Sequence, residues 1–389
     1  MNQTVSRKCI PACVLALATF GPLHAEAWTF KTLYTFQGGN DGSQPLAAVT
    51  ATGGKLYGTT LQGGGSGCGN TGCGVVFAMT TTGTESVIFS FNGGSQGNSP
   101  RAPLLNVGGT LYSTAEFGGN ASGGVIFSIT PAGTENTLYT FQGGSNDGDE
   151  PFGGLTNVNG TLYGTTAGGG ASGHGTVFSV TTAGQEKIIY SFKSGSDGAS
   201  PESGLIDVNG TLYGTTFSGG TQGDGTVFKV TTSGSESVLW SFKGGADGES
   251  PFAALTNVNG TLFGTTRSGG GTGCGGRGCG TVFKVTSAGV ESIVYNFQGG
   301  NDGGNPETNL LNKKGNLFGT TRIGGSTTAC GNEGCGTVFE MTQVGAVTYL
   351  HKFSGASDGS FPQAGLINVS GTLYGTTNGG NGTVFSLVK

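Results

Sequence analysis

The side chains with chemistry to offer are few, and they recur at regular intervals. Beyond residue 27, six cysteines form three C-x4-C pairs: Cys68 with Cys73, Cys274 with Cys279, and Cys330 with Cys335. Two readings fit such pairs. Each could close a local disulfide, or Cys274, Cys279, Cys330 and Cys335 could hold one zinc ion between neighbouring repeats. Cys68 and Cys73 have no neighbouring pair, and all three pairs sit in lengthened loops: residues 61–73 number 13, whereas the counterpart 217–224 numbers 8. An insertion that arrives with its own crosslink favours disulfides, each stabilising by about 2 kcal/mol in the chain-entropy model.

The carboxylates are as regular. Asp-Gly recurs at Asp41, Asp147, Asp197, Asp247, Asp302 and Asp358, with Gln96-Gly97 in the remaining place. A ring of carboxylates invites a calcium or catalytic reading. An aspartate that accepts hydrogen bonds from its own turn, beside a glycine at positive φ, explains the recurrence without a ligand. Only the acidic run with Asp147, Asp149 and Glu150 is a calcium candidate, and it departs from the EF-hand pattern. Past residue 27 the histidines are His174 and His351, too few for a His-built metal site or a Ser-His-Asp set. No catalytic residue is assigned, and no metal or other cofactor is expected.

These residues are positioned by a repeat. A Leu-Tyr or Leu-Phe pair begins at Leu56, Leu111, Leu162, Leu212, Leu262, Leu317 and Leu373, at spacings of 55, 51, 50, 50, 55 and 56 residues. The fourth copy shows the parts: an apolar run over 201–208, the turn Asn209-Gly210, a run over 211–216, a glycine loop over 217–224, and runs over 226–232 and 237–242. Short runs rich in Val, Thr, Phe, Tyr and Leu between Gly, Asn and Ser are strands, and Asn-Gly is the signature of a two-residue hairpin turn. The chain has 82 glycines in 389 residues, which leaves no window for a long helix.

Four antiparallel strands repeated seven times predict an all-β, seven-bladed β-propeller. Residues 28–36 match a fourth strand, while the chain stops at Lys389 after a third one. The last blade is therefore expected to take its outer strand from the N-terminus, which closes the ring and removes exposed edges. Position 204 and its equivalents Ala48, Pro103, Gly154, Ala254, Asn309 and Gly365 are mostly small, as befits an inner strand near a crowded axis.

Residues 1–27 read as a signal peptide: Arg7 and Lys8, an apolar run over 9–23, then Ala25-Glu26-Ala27 as a cleavage site. Residues 28–389 are then one propeller domain, exported to the periplasm or the extracellular space. No later stretch could span a bilayer as a helix. The net charge is −5 for the whole chain. Removal of Arg7, Lys8 and Glu26 makes it more negative by one, and with no basic run a nucleic-acid partner is not expected.

The units resemble the GloVer repeat of exported bacterial proteins. The matching elements are Gly-Thr-Leu-Tyr-Gly-Thr-Thr at 160–166, Gly-Gly at 169–170, Gly-Thr-Val-Phe at 175–178 and Leu-Trp-Ser-Phe at 239–242. The resemblance covers essentially all of residues 28–389 and implies a repeat architecture without a settled activity. Members often carry a C-terminal surface anchor; here the chain ends directly after a strand, and none is expected.

Antiparallel order places the long glycine loops and the Asp-Gly segments at one end of every blade. Positions there that differ between copies are the candidates for recognition. After the paired threonines stand Leu61, Glu116, Ala167, Phe217, Arg267, Arg322 and Asn378; after the proline stand Leu46, Arg101, Phe152, Glu202, Phe252, Glu307 and Gln363. Mixed aromatic, Arg and carboxylate groups around a concavity suit an extracellular glycan, peptide or protein, and make the chain a binding or surface-interaction module. The alternative is a glycan-active enzyme, a glycoside hydrolase or lyase, with carboxylates such as Glu202 and Glu307 as acid and base.

Overall fold

The computed structural model describes residues 27–389; the expected signal peptide lies outside the described residues save for Ala27. Each repeat folds into one four-stranded antiparallel sheet, and there are seven. In the fourth the strands are Ile206–Val208, Thr211–Thr216, Thr226–Thr231 and Glu236–Ser241. Register runs Asp207 to Leu212, Leu212 to Val230, and Val230 to Glu236. The hairpin turn is the one its residues demand, with Asn209 at φ 54° and Gly210 at φ 82°. The Asp207 carboxylate accepts the Gly210 N–H at 2.8 Å and locks it.

Two features differ from expectation. The first strand of the fourth unit pairs only over Ile206–Val208 instead of 201–208. The stretch before it gives its carbonyls to the preceding blade: the Thr165 hydroxyl donates to Ser203 O at 2.7 Å. The outer strand also carries a bulge, since Val227 faces Trp240 while Phe228 faces Val238. The extra residue, Leu239, packs with Trp240 on one apolar cluster, which explains consecutive apolar positions in these strands.

The seventh sheet holds Ile367–Val369, Thr372–Thr377, Thr383–Val388 and, as its outer member, Thr29–Thr35 from the other end of the chain. Phe30 stands opposite Leu387, and Thr32 opposite Phe385.

Blades pack face to face, so both faces of each sheet are apolar. One cluster joins Tyr213, Val227 and Phe242 of the fourth blade to Leu255, Leu262 and Phe283 of the fifth. Another joins Tyr374, Val384 and Phe36 to Val49, Leu56 and Phe77, that is, the seventh blade to the first. Two repeated elements supply the joints. The phenylalanine just after each outer strand meets the phenylalanine of Gly-Thr-Val-Phe, or its equivalent, in the next blade, edge to face in Phe242–Phe283 at 5.0 Å and Phe36–Phe77 at 5.1 Å. The first of the paired threonines reaches across the same seam to a carbonyl, as Thr265 does to Thr308 O at 3.2 Å and Thr376 to Ala47 O at 3.2 Å.

The glycine between Leu-Tyr and Thr-Thr is required by a ring. A Cβ on Gly214 would stand 2.7 Å from Phe228 Cζ and 2.8 Å from Leu205 Cδ2. Gly214→Val is therefore expected to destabilise by about 1–3 kcal/mol in denaturant titration, through overpacking. An unchanged midpoint would show that Phe228 can move aside. The second blade has Ser113 here, fully buried, with its hydroxyl donating to Ala102 O at 3.1 Å.

Among the described residues the helices are single turns, and none is long and apolar enough to cross a membrane.

Candidate functional site

The second threonine of each pair closes the glycine loop that follows. Thr216 Oγ1 bonds Ser218 O at 2.9 Å, lies 2.9 Å from Thr226 Oγ1, and accepts the Thr226 N–H. A two-residue bridge, Ala199 with Ser218, ties that loop to the Asp-Gly segment entering the same blade. Both loop types thus lie at one end, fixed by the sheet beneath.

All three cysteine pairs close locally: Cys68–Cys73, Cys274–Cys279 and Cys330–Cys335. The zinc alternative is excluded, because the four sulfurs it needs are consumed in two separate crosslinks.

The Asp-Gly carboxylates serve the frame. Asp197 accepts the Tyr190 hydroxyl at 2.7 Å and the Lys193 N–H at 2.7 Å; Asp41 does the same with Tyr34 and Gln37. The unit with Gln96 carries Phe89 where Tyr190 stands, so the phenol and its acceptor are lost together. Asp147 is taken up likewise, by the Tyr139 hydroxyl and the N–H groups of Gln142 and Gly148. Asp149 and Glu150 do not join it in a ligand set: no three His, Cys, Asp or Glu groups among the described residues could hold an ion together.

The two variable sets meet. Leu46, Arg101, Phe152, Glu202, Phe252, Glu307 and Gln363 ring the mouth of the axial channel, above the small residues Ala48, Gly154, Gly204 and Ala254, around a cavity of about 220 Å³. The residues after the paired threonines brace this ring from outside. Glu116 takes Arg101 Nη1 at 3.1 Å, and the Arg101 guanidinium lies 4.4 Å from the Phe152 ring centre. Phe217 meets Phe252 edge-on at 6.2 Å. Arg267 Nε stands 3.0 Å from Glu307 Oε1, Gln363 donates to Glu307 Oε2, and Asn378 donates to Gln363. The Arg267 N–H does not point at its partner, so Glu307 Oε1 is buried without a hydrogen bond. Arg322 lies 5.4 Å from the Phe361 ring centre.

Glu202 stands apart. It has no ion-pair partner among the described residues, and burial pushes its carboxyl up to about 7 despite the pull of Arg101 and Arg267. Burial also raises Glu116, with Arg101 opposing.

A groove of about 590 Å³ opens beside the mouth. Its walls come from the glycine loops of the fourth to sixth blades and include Phe217, Arg267, Arg277, Arg322, Glu249 and Glu333. Sequence reasoning missed Arg277, Glu249 and Glu333. The available signal was that two of the three C-x4-C loops hold a charged residue and the first, Cys68 to Cys73, holds none.

By fold, the chain is similar to several solved structures. The GH74 enzyme of Niastella koreensis shares 14% identity at a TM-score of 0.55, over 92% of this chain and 53% of that one. PorZ, described as an essential bacterial surface component of the type-IX secretion system of Porphyromonas gingivalis, shares 15% at 0.53, over 91% and 47%. This chain thus spans about half the length of either. The computationally designed Ika8 protein shares 13% at 0.50, over 91% of this chain and 99% of its own. Identities this low show a common fold and nothing of activity. No curated protein matches the sequence. The model of the Gloeobacter/Verrucomicrobia repeat matches residues 21–166, 67–277 and 218–389, which together take in the whole propeller. The chain belongs to the Gloeobacter/Verrucomicrobia repeat family.

Proposed function

We propose that residues 28–389 act as one exported binding module whose loop-rich end receives an extracellular glycan or protein. The observation that carries this reading is convergence. Side chains that vary among otherwise repeated units gather around one mouth and the groove beside it, on loops a rigid ring holds in place. The disulfides accord with an oxidising compartment.

Phe217 is the side chain to remove first, because it belongs both to the groove and, through Phe252, to the mouth. Phe217→Ala is expected to weaken whatever the wild-type chain captures in a glycan and surface-protein screen by about tenfold, with little loss of stability. Undiminished capture by the variant would move the binding face elsewhere.

A second reading, a glycoside hydrolase or lyase, draws on Glu202, whose raised carboxyl could donate a proton near neutral pH. Its intended partner Glu307 is already engaged by Arg267 and Gln363, which is why binding ranks first. Release of soluble sugar from a captured glycan, abolished by Glu202→Gln, would reverse that ranking.

A further inference from the structure

We propose that the groove beside the mouth takes a carboxylated oligosaccharide, of the uronic-acid class, with Arg277 and Arg322 clasping carboxylates and Phe217 backing a sugar ring. This rests on the reading that the loop-rich end binds ligand, and it narrows the ligand.

Arg277 and Arg322 have no ion-pair partner among the described residues, although Glu249 and Glu333 line the same groove. Arg267 meets Glu307 through Nε, and its side chain remains 44% exposed. Three guanidinium groups therefore border one concavity with donor edges to spare. A guanidinium fork matches a carboxylate bidentately and gains most where water is partly excluded.

The position of these residues is specific to the two blades. Where Arg267 and Arg322 follow the paired threonines, other units have Leu61, Ala167 or Asn378. Arg277 projects from the Cys274–Cys279 loop, and Glu333 from the Cys330–Cys335 loop. The two crosslinked insertions thus form walls of the groove, so the disulfides shape a site as well as closing a loop.

The remaining walls select among anions. Glu249 and Glu333 repel a densely charged polymer such as a polyphosphate or a polyaspartate, yet accept hydrogen bonds from hydroxyl groups. Phe217 offers a flat apolar face, and the volume of about 590 Å³ suits a short oligomer. One carboxylate per ring, flanked by hydroxyls, satisfies all these walls together.

Titration calorimetry with trisaccharides of galacturonate, glucuronate and mannuronate tests this, against their carboxyl-reduced forms and an oligo-glutamate. At least one uronate should bind, with its reduced form at least tenfold weaker. Arg277→Gln and Arg322→Gln should each lose about tenfold and their combination about a hundredfold. Arg277 stands in an exposed loop, so an unchanged melt should accompany its loss; Arg322 also lies over Phe361 of the next blade, so its variant is judged by affinity for the uronate relative to the reduced form. Equal affinity for uronate and reduced forms, or for oligo-glutamate, overturns the proposal. If neutral glycans bind in a Phe217-dependent manner and no uronate does, this inference falls while the binding reading stands. If no glycan or protein depends on Phe217, both fall.

Discussion

A chain lacking residues 28–36 is expected to lose most of its cooperative thermal transition. That segment contributes the outer strand Thr29–Thr35, and its pairing with Thr383–Val388 is replaced by an exposed edge. It also removes Phe36, which is 1% exposed and packs on Phe77, and Phe30, which packs on Phe353 and Phe385. Losing the buried Phe36 and the partly buried Phe30 costs on the order of 5 kcal/mol, comparable to the whole stability of many proteins. The loss should be felt around the ring, since Phe36 lies in the cluster that joins the seventh blade to the first. Circular dichroism melts would show it. A permuted chain that begins at Gln37 and carries residues 28–36 after Lys389, through a short turn, should recover the transition. An unchanged melt on deletion would mean that the seventh blade stands without its outer strand.

Most of this architecture is legible in the sequence because a repeat states its own rules several times over. Asn209-Gly210 specifies a hairpin locally, and a C-x4-C pair that arrives with each loop insertion favours a local crosslink. What the sequence leaves unread are relations across seams. Thr215 and Thr216 look equivalent in the chain, yet one bonds Ala253 O of the next blade while the other closes its own loop. Seven similar copies show that both are required without showing which neighbour each serves. The candidate site divides in the same way. Variation between copies finds Arg101, Glu202, Phe217, Arg267 and Glu307, because a scaffold does not need different residues at equivalent places. It does not reveal that Arg267 neutralises Glu307 while Glu202 stays unpaired, since that depends on side-chain reach between blades. Arg277 escapes because its loop has no counterpart in the shorter units. The Asp-Gly ring is the converse case, where recurrence correctly argues for frame over ligand, and Tyr190 and Lys193 supply the reason.

The same carboxylates set how stability responds to pH. At four seams the first glutamate of an outer strand approaches the Asp of the preceding Asp-Gly segment. Glu85 faces Asp41 and Tyr34; Glu186 faces Asp147 and Tyr139; Glu236 faces Asp197, Tyr190 and Lys193; Glu291 faces Asp247 and Lys243. In each, Oε1 is buried without a hydrogen-bond partner. Burial first, and the neighbouring aspartate second, push all four carboxyls from 4.5 up to about 7. Folding therefore favours the protonated form. The stabilisation is full below the unfolded pKa near 4.5 and is lost as pH rises through about 7. These side chains are only partly buried, so screening reduces each contribution to on the order of 1 kcal/mol. His351 works the other way at a single seam, where burial lowers it against the pull of Asp358 and stability is lost as pH falls. Four sites outweigh one. Calorimetry is expected to show a melting temperature several degrees higher at pH 5 than at pH 8. Replacing Glu85, Glu186, Glu236 and Glu291 together by glutamine should shrink that difference to the part owed to Glu202, chiefly by raising the value at pH 8, because the amide stays neutral throughout. A wild-type melt that is flat or rises between pH 5 and pH 8 would mean these seams admit enough water to ionise freely.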